Sequence, residues 1–291
     1  MAYRNIIFSF LFISISSWAQ VRYIDYPSPF HSKIGKSGMV VSQNQASSNI
    51  GIEILNMGGN AIDAAVAVGF SLAITLPRAG NLGGGGFMLI YLSDEKRTIA
   101  VDFRSAAPVN LTEKDFLFLK KNYDQRRYGY KASAVPGTVA GLLETHKRYG
   151  KLSLKQILHP VISQAKKGIY VSYDLNQAIG SADQIKLDDE SKNIYYQNDV
   201  PLMENELVKR TDLAWTLNEI ANNGQEAFYS GSISKKIVKA MKQNNGYISA
   251  EDLKNYKPRF SEPIHTTYRN YKIFAHPPPA GGAAVLLEGL N

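Results

Sequence analysis

Residues 61–75, AIDAAVAVGFSLAIT, place apolar or small side chains around almost the whole circumference of a helix, with Asp63 their single charge. A helix without a polar face must be enclosed by other elements. The chain therefore has to pack neighbours around this segment, and its alanines let them approach closely. The local signals agree: Asn60 with Asp63 three residues on resembles a capping box with a shortened acid, and Pro77 closes the far end. Upstream, Ile50, Ile54 and Met57 recur at spacings of four and three, predicting a helix over 45–57 that Gly58-Gly59 terminates. GMVVS at 38–42 reads as a short strand.

Downstream, Asn81-Leu82 leads into four glycines, Gly83, Gly84, Gly85 and Gly86, and then into FMLIYL. A polar turn at 93–97 and a second apolar stretch at 98–104 predict a β-hairpin. In the second strand Ile99, Val101 and Phe103 share one face, and Ala100, Asp102 and Arg104 the other. No Gly-Lys-Ser/Thr follows the glycines, so they are not a Walker-type phosphate loop. They mark either a tight passage where only glycine fits against a neighbouring backbone or a direct contact with substrate. Arg104 carries two readings. It is either a structural ion pair, with Asp102 or another acid, or a fork that holds a substrate carboxylate by two parallel hydrogen bonds.

Further helices are expected from Pro136-Gly137 to about Tyr149, over 154–167 with a kink at Pro160, from an N-cap at Thr211 through Asn222, and over 232–243. Ser249 with Asp252 signals a short one. Residues 265–274 are strand-like, and 283–290 open a helix with no stop signal, so the chain is expected to be cut inside an element.

Several function classes fall away. The 291 residues, 44% hydrophobic and 20% charged, are ordinary for one large or two small globular domains, without repeats, heptads or low complexity. Arg4, an apolar run over 6–15 and the small-x-small Ser17-Trp18-Ala19 read as an export signal cleaved after Ala19 or Gln20. The chain has no cysteine, which removes disulfides, thiol nucleophiles, thiolate zinc sites and a lipoprotein anchor. Arg4 is the single charged residue of 1–19, so its loss lowers the formal charge from +8 to +7. That charge is scattered rather than gathered on one element, as a nucleic-acid binder would need. The five histidines, His31, His146, His159, His265 and His276, lack metal-ligand spacing and are assigned to surface or packing. No Gly-x-Ser-x-Gly elbow occurs.

GGNAIDAAVA at 58–67, AGNLGGGGFMLI at 79–90 and VDFRSAAP at 101–108 occur in this order and at close spacing, followed by PGTVAG at 136–141 and PPPAGG at 277–282. Together they resemble the large-subunit region of γ-glutamyltransferases, also called glutathione hydrolases, over nearly everything from Gly38 to Asn291. The resemblance implies an α+β fold of the N-terminal-nucleophile hydrolase type, a four-layer αββα sandwich, of which this chain would hold only the large-subunit part. It implies a precursor that cuts itself. The freed N-terminal threonine of the small subunit attacks the γ-glutamyl amide of glutathione, with its own α-amine as base. The acyl group then passes to water, an amino acid or a peptide.

The expected organisation is a signal peptide at 1–19, an N-terminal extension at 20–37 and a large-subunit region at 38–291. Carried over residue by residue, the arginine that binds the α-carboxylate of the glutamyl group is Arg104, while the nucleophile lies beyond Asn291. No catalytic residue, metal or cofactor is expected in this chain, and its location is secreted or periplasmic. Expected partners are glutathione and other γ-glutamyl compounds, acceptor amino acids or peptides, and a small subunit from the same precursor, without nucleic acid and without membrane once the signal is removed. The family often has Glu after the arginine, where this chain has Ser105, a departure that bears on substrate or acceptor preference. Two other readings stand beside this one: a related acylase of the same fold acting on β-lactam or glutaryl side chains, and a non-catalytic secreted binding remnant.

Overall fold

The computed structural model describes residues 34–290; the signal and most of the N-terminal extension, with Arg4 and His31, lie outside the described residues. The chain divides at Gly38, and residues 34–38 form no helix or strand. The larger unit, Met39–Asn291, carries every described helix and strand.

Its centre is the Ala61–Thr75 helix, whose Val66, Ala67 and Phe70 are fully buried. The Gln45–Asn56, Thr138–Tyr149 and Leu154–Lys167 helices pack around it, and the last of these also carries Thr211–Tyr229. Burying a side chain such as Phe70 contributes roughly 1.5–3 kcal/mol. The capping box expected at Asn60 forms, with Asp63 accepting from the Asn60 amide at 2.9 Å. Asp63 is wholly buried and also accepts the Lys151 amide at 3.0 Å and the Leu152 amide at 3.2 Å, with His146 Nε2 at 3.4 Å. One carboxylate thus joins the start of the central helix to the turn after Tyr149. A buried hydroxyl cluster closes the other end: Ser47 Oγ meets Ser71 at 2.8 Å and Thr75 at 2.7 Å, and Ser71 donates to Gln164 at 2.7 Å.

Three antiparallel strands make the sheet, in the order Phe87–Leu92, Arg97–Asp102, Arg259–Ser261. The middle strand is buried from Thr98 to Asp102 on both of its faces. The sheet packs through this strand against the Thr138–Tyr149 helix. On the outer strand, Leu89 and Tyr91 are exposed.

Several expectations need correction. Residues 38–42 form no strand: the Ser42 amide is turned to the Ser48 hydroxyl at 3.1 Å, where a ladder partner would have to be. The second hairpin strand ends at Asp102, two residues short of Arg104, although Phe103 still exchanges two backbone bonds with Gly86. Arg210, not Thr211, stands at the helix cap, and the helix runs on to Tyr229 across a break at Gly224, where φ is 62° and ψ −148°. That break lies two residues past the expected end. Residues 265–274 are a hairpin rather than one strand, Ile264–Tyr268 paired with Tyr271–Ala275, because Arg269 and Asn270 both take positive φ (47° and 69°) and turn the chain. The helix expected over 154–167 forms as Leu154–Lys167, with Pro160 inside it.

Candidate substrate-binding site around Arg104

Residues 103–105 leave the middle strand through a collar of glycines from two separate motifs. A methyl added at Gly85 would lie 2.5 Å from the Ser105 nitrogen and 2.7 Å from the Phe103 oxygen, and one at Gly86 would lie 2.8 Å from the Phe103 ring. At Gly141 the same addition would meet the Phe103 side chain, and at Gly137 the Phe103 carbonyl and the Tyr256 hydroxyl. The glycine run is therefore a close-packed passage for the backbone that carries Arg104. The Gly137 and Thr138 amides both point at the Gly84 carbonyl, at 2.8 and 3.1 Å, which ties the run to the start of the Thr138–Tyr149 helix.

Hydrogen bonds fix the same backbone. The Arg104 amide donates to Asp102 Oδ1 at 2.9 Å, and the Arg104 carbonyl accepts from the Tyr256 hydroxyl at 2.8 Å. One step further, Ala106 and Val135 exchange two bonds at 3.1 and 2.8 Å. Burial pushes Tyr256 up to about 12, helped by the negative charge of Asp102, so its hydroxyl keeps its proton and donates. Tyr256 stacks on Tyr229 at 5.9 Å. Tyr229, nearly fully buried, donates to the Pro136 carbonyl at 2.8 Å and accepts from the Ala140 amide at 3.1 Å. Burial raises its ionisation above the ordinary tyrosine value as well.

The Arg104 side chain is exposed, with its guanidinium 6.0 Å from the centre of the Phe87 ring. Asp102, the acid weighed as its ion-pair partner, is taken by Arg259, its cross-strand neighbour, at 2.6 Å. Among the described residues no carboxylate pairs with Arg104. A fixed segment just past the strand end thus presents a guanidinium whose neighbouring anion, Asp102, is already occupied, an arrangement able to receive a carboxylate from outside.

Sequence reasoning found Arg104 but not its setting. Phe87 and His276 meet at 4.5 Å between ring centres, and Tyr229, Tyr256 and Arg259 come from distant segments with no local motif to announce them. His276 is buried, its Nδ1 bonded to the Pro277 carbonyl, while Nε2 has no partner among the described residues. The described histidines behave as packing residues where the contacts are plain: His146 faces Asp63, and His265 lies 5.9 Å from the Phe274 ring. Among the described residues no group of His, Asp and Glu is arranged to hold a metal ion. No described helix is long and apolar enough to cross a membrane.

The fold is shared with solved enzymes. A gamma-glutamyltranspeptidase of Helicobacter pylori superposes with a TM-score of 0.83 and 38% identity, over 88% of this chain and 74% of that one. A cephalosporin acylase of Bacillus halodurans gives 0.74 and 28%, over 86% of this chain and 49% of the other. This is an α+β fold of the N-terminal-nucleophile hydrolase class, to which the described residues contribute a sheet and the helical layer packed on it. The gamma-glutamyltranspeptidase family model matches residues 47–291, and the chain belongs to that family. The glutathione hydrolase proenzyme of Escherichia coli (strain K12) is 39% identical over 266 residues, 90% of this chain and 46% of the relative. The chain spans about half the length of the curated relatives it matches.

Proposed function

We propose that the chain supplies the glutamyl-recognising part of a γ-glutamyltransferase, with Arg104 binding the α-carboxylate of the γ-glutamyl group. The observation that carries this reading is the unpaired guanidinium on a firmly held segment just past the strand end, beside an Asp102 already neutralised by Arg259. The reaction is cleavage of the γ-glutamyl amide of glutathione and transfer of the acyl group to water, an amino acid or a peptide. Its threonine nucleophile comes from a small subunit of the same precursor and is not among these residues. Residues 1–19 act as an export signal, 20–37 as an extension and 38–291 as the large-subunit region, placing the protein outside the cytoplasm.

A second reading, an amide acylase that ignores the α-carboxylate, draws support from the likeness to the cephalosporin acylase. The two part on substrate. A γ-glutamyl anilide carries the α-amino and α-carboxyl groups, and a butyryl anilide carries neither. Full-length protein that turns over the γ-glutamyl compound and neglects the butyryl one supports the transferase reading, and the opposite preference overturns it.

A further inference from the structure

A cavity of about 430 Å³ opens on the side of the chain that leaves Arg104, its wall beginning at Ser105. The Ala106–Val135 bridge holds that wall against the opposite one. Three cations line the cavity, each from a different element: Lys120 from the Glu113–Lys121 helix, Arg126 from Tyr123–Arg127 and Lys131 from the Tyr130–Ala132 turn. A single solvated helix face would not bring these together. No carboxylate lines the cavity, and none of the three cations forms an ion pair among the described residues. Arg126 lies 5.3 Å from the Tyr123 ring centre, and Lys131 donates to Gln125 at 3.2 Å while lying 5.2 Å from the Phe118 ring. Asp115, which accepts from the lining residue Tyr247 at 3.3 Å, is also engaged by Thr112.

Like charges gathered around a concave surface focus a field that favours an anion. The volume suits a small ligand, and the apolar lining residues Leu111, Phe116 and Leu119 suit one with a carbon backbone. We infer that this cleft is a subsite for a carboxylate-rich peptide, either the extended end of an acidic γ-glutamyl substrate or an acidic acceptor. The choice of carboxylate rests on the function proposed above, whose substrates all carry that group, and on the continuity of the wall with Arg104.

The test is equilibrium binding of triglutamate to the full-length protein, beside uncharged trialanine amide and pyrophosphate. Triglutamate should bind in preference to trialanine amide and weaken as salt is raised. Changing Lys120, Arg126 and Lys131 together to Gln should reduce its affinity roughly tenfold or more, from three partly screened charge contacts. Changing Lys235, Lys239 and Lys242 to Gln, an equal charge loss on the Ser232–Gln243 helix, should leave it within about twofold. Triglutamate should also protect Lys120 and Lys131 from amine acylation, a readout that needs no variant. Equal losses in both triple variants, no protection, or tighter binding of pyrophosphate would overturn the inference. No turnover enters these measurements, so inactivity on γ-glutamyl substrates would remove the functional reading without removing the anion site.

Discussion

Gly85→Ala isolates the packing requirement behind the glycine run. The added methyl would stand 2.5 Å from the Ser105 nitrogen, 2.7 Å from the Phe103 oxygen and 2.9 Å from the Arg104 carbonyl carbon. Ordinary contacts lie near 3.5 Å, so the segment carrying Arg104 has to retreat by roughly 0.5–1 Å. All three atoms are backbone, and no change of rotamer relieves them. The same movement stretches the Phe103–Gly86 pair, now at 3.0 and 3.3 Å. Overpacking of this kind costs about 1–3 kcal/mol, and losing one ladder bond adds about 0.5–1.5 kcal/mol. The sum, roughly 1.5–4.5 kcal/mol, should appear in urea unfolding followed by far-UV circular dichroism as a lower midpoint at unchanged slope. Gly83→Ala is the control: its methyl meets only Asn81 Oδ1, at 3.4 Å, and should cost less than about 1 kcal/mol. Parental stability in Gly85→Ala, or an equal loss in both variants, would refute the close-packing argument and leave ligand contact as the reason for the run.

Tyr229→Phe removes the hydroxyl that satisfies both the Pro136 carbonyl and the Ala140 amide, and should cost about 2–4 kcal/mol by the same unfolding assay. Asp63→Ala strands the amides of Asn60, Lys151 and Leu152 and should destabilise by a similar amount, roughly 2–5 kcal/mol, whereas exposed Asp94→Ala should change little. Burial would raise Asp252, but the Ser249 hydroxyl and the Val109 and Ser249 amides outweigh it and hold its carboxyl below the usual range. A depressed native value means that its contribution is complete above the unfolded value near pH 4, and is lost as pH falls through the native one. Asp252→Asn should flatten that part of the acid stability curve, and an unchanged curve would contradict the assignment.

Much of the helical scaffold was legible because it depends on local chemistry. The all-apolar 61–75 segment, the caps at Asn60, Ser249 and Gly58, and the hairpin after the glycines each carry their signal within a few residues. Where the outcome depends on a distant partner, the reading failed. Residues 38–42 have strand composition but no ladder, and Arg269-Asn270 turns the chain without a glycine. No element was assigned between Lys167 and Thr211, where the strands are two residues long and held by cross-segment bonds such as Val171 to Glu206. The candidate site divides in the same way. Arg104 stands out by motif, whereas Tyr256 and Arg259 reach it across about 150 residues of sequence, through contacts that only the fold creates.

The central claim rests on the Arg104 guanidinium as the partner of a substrate carboxylate. Its most direct test is kcat/KM of full-length Arg104→Ala on γ-glutamyl and butyryl anilides side by side. Losing one partner of a covered charge pair costs about 2–5 kcal/mol, so γ-glutamyl turnover should fall roughly 30- to 5,000-fold. The loss should fall mainly on KM, with self-cleavage intact and turnover of the butyryl compound little altered. An unchanged kcat/KM for the γ-glutamyl anilide, or equal losses on both substrates, would contradict the account.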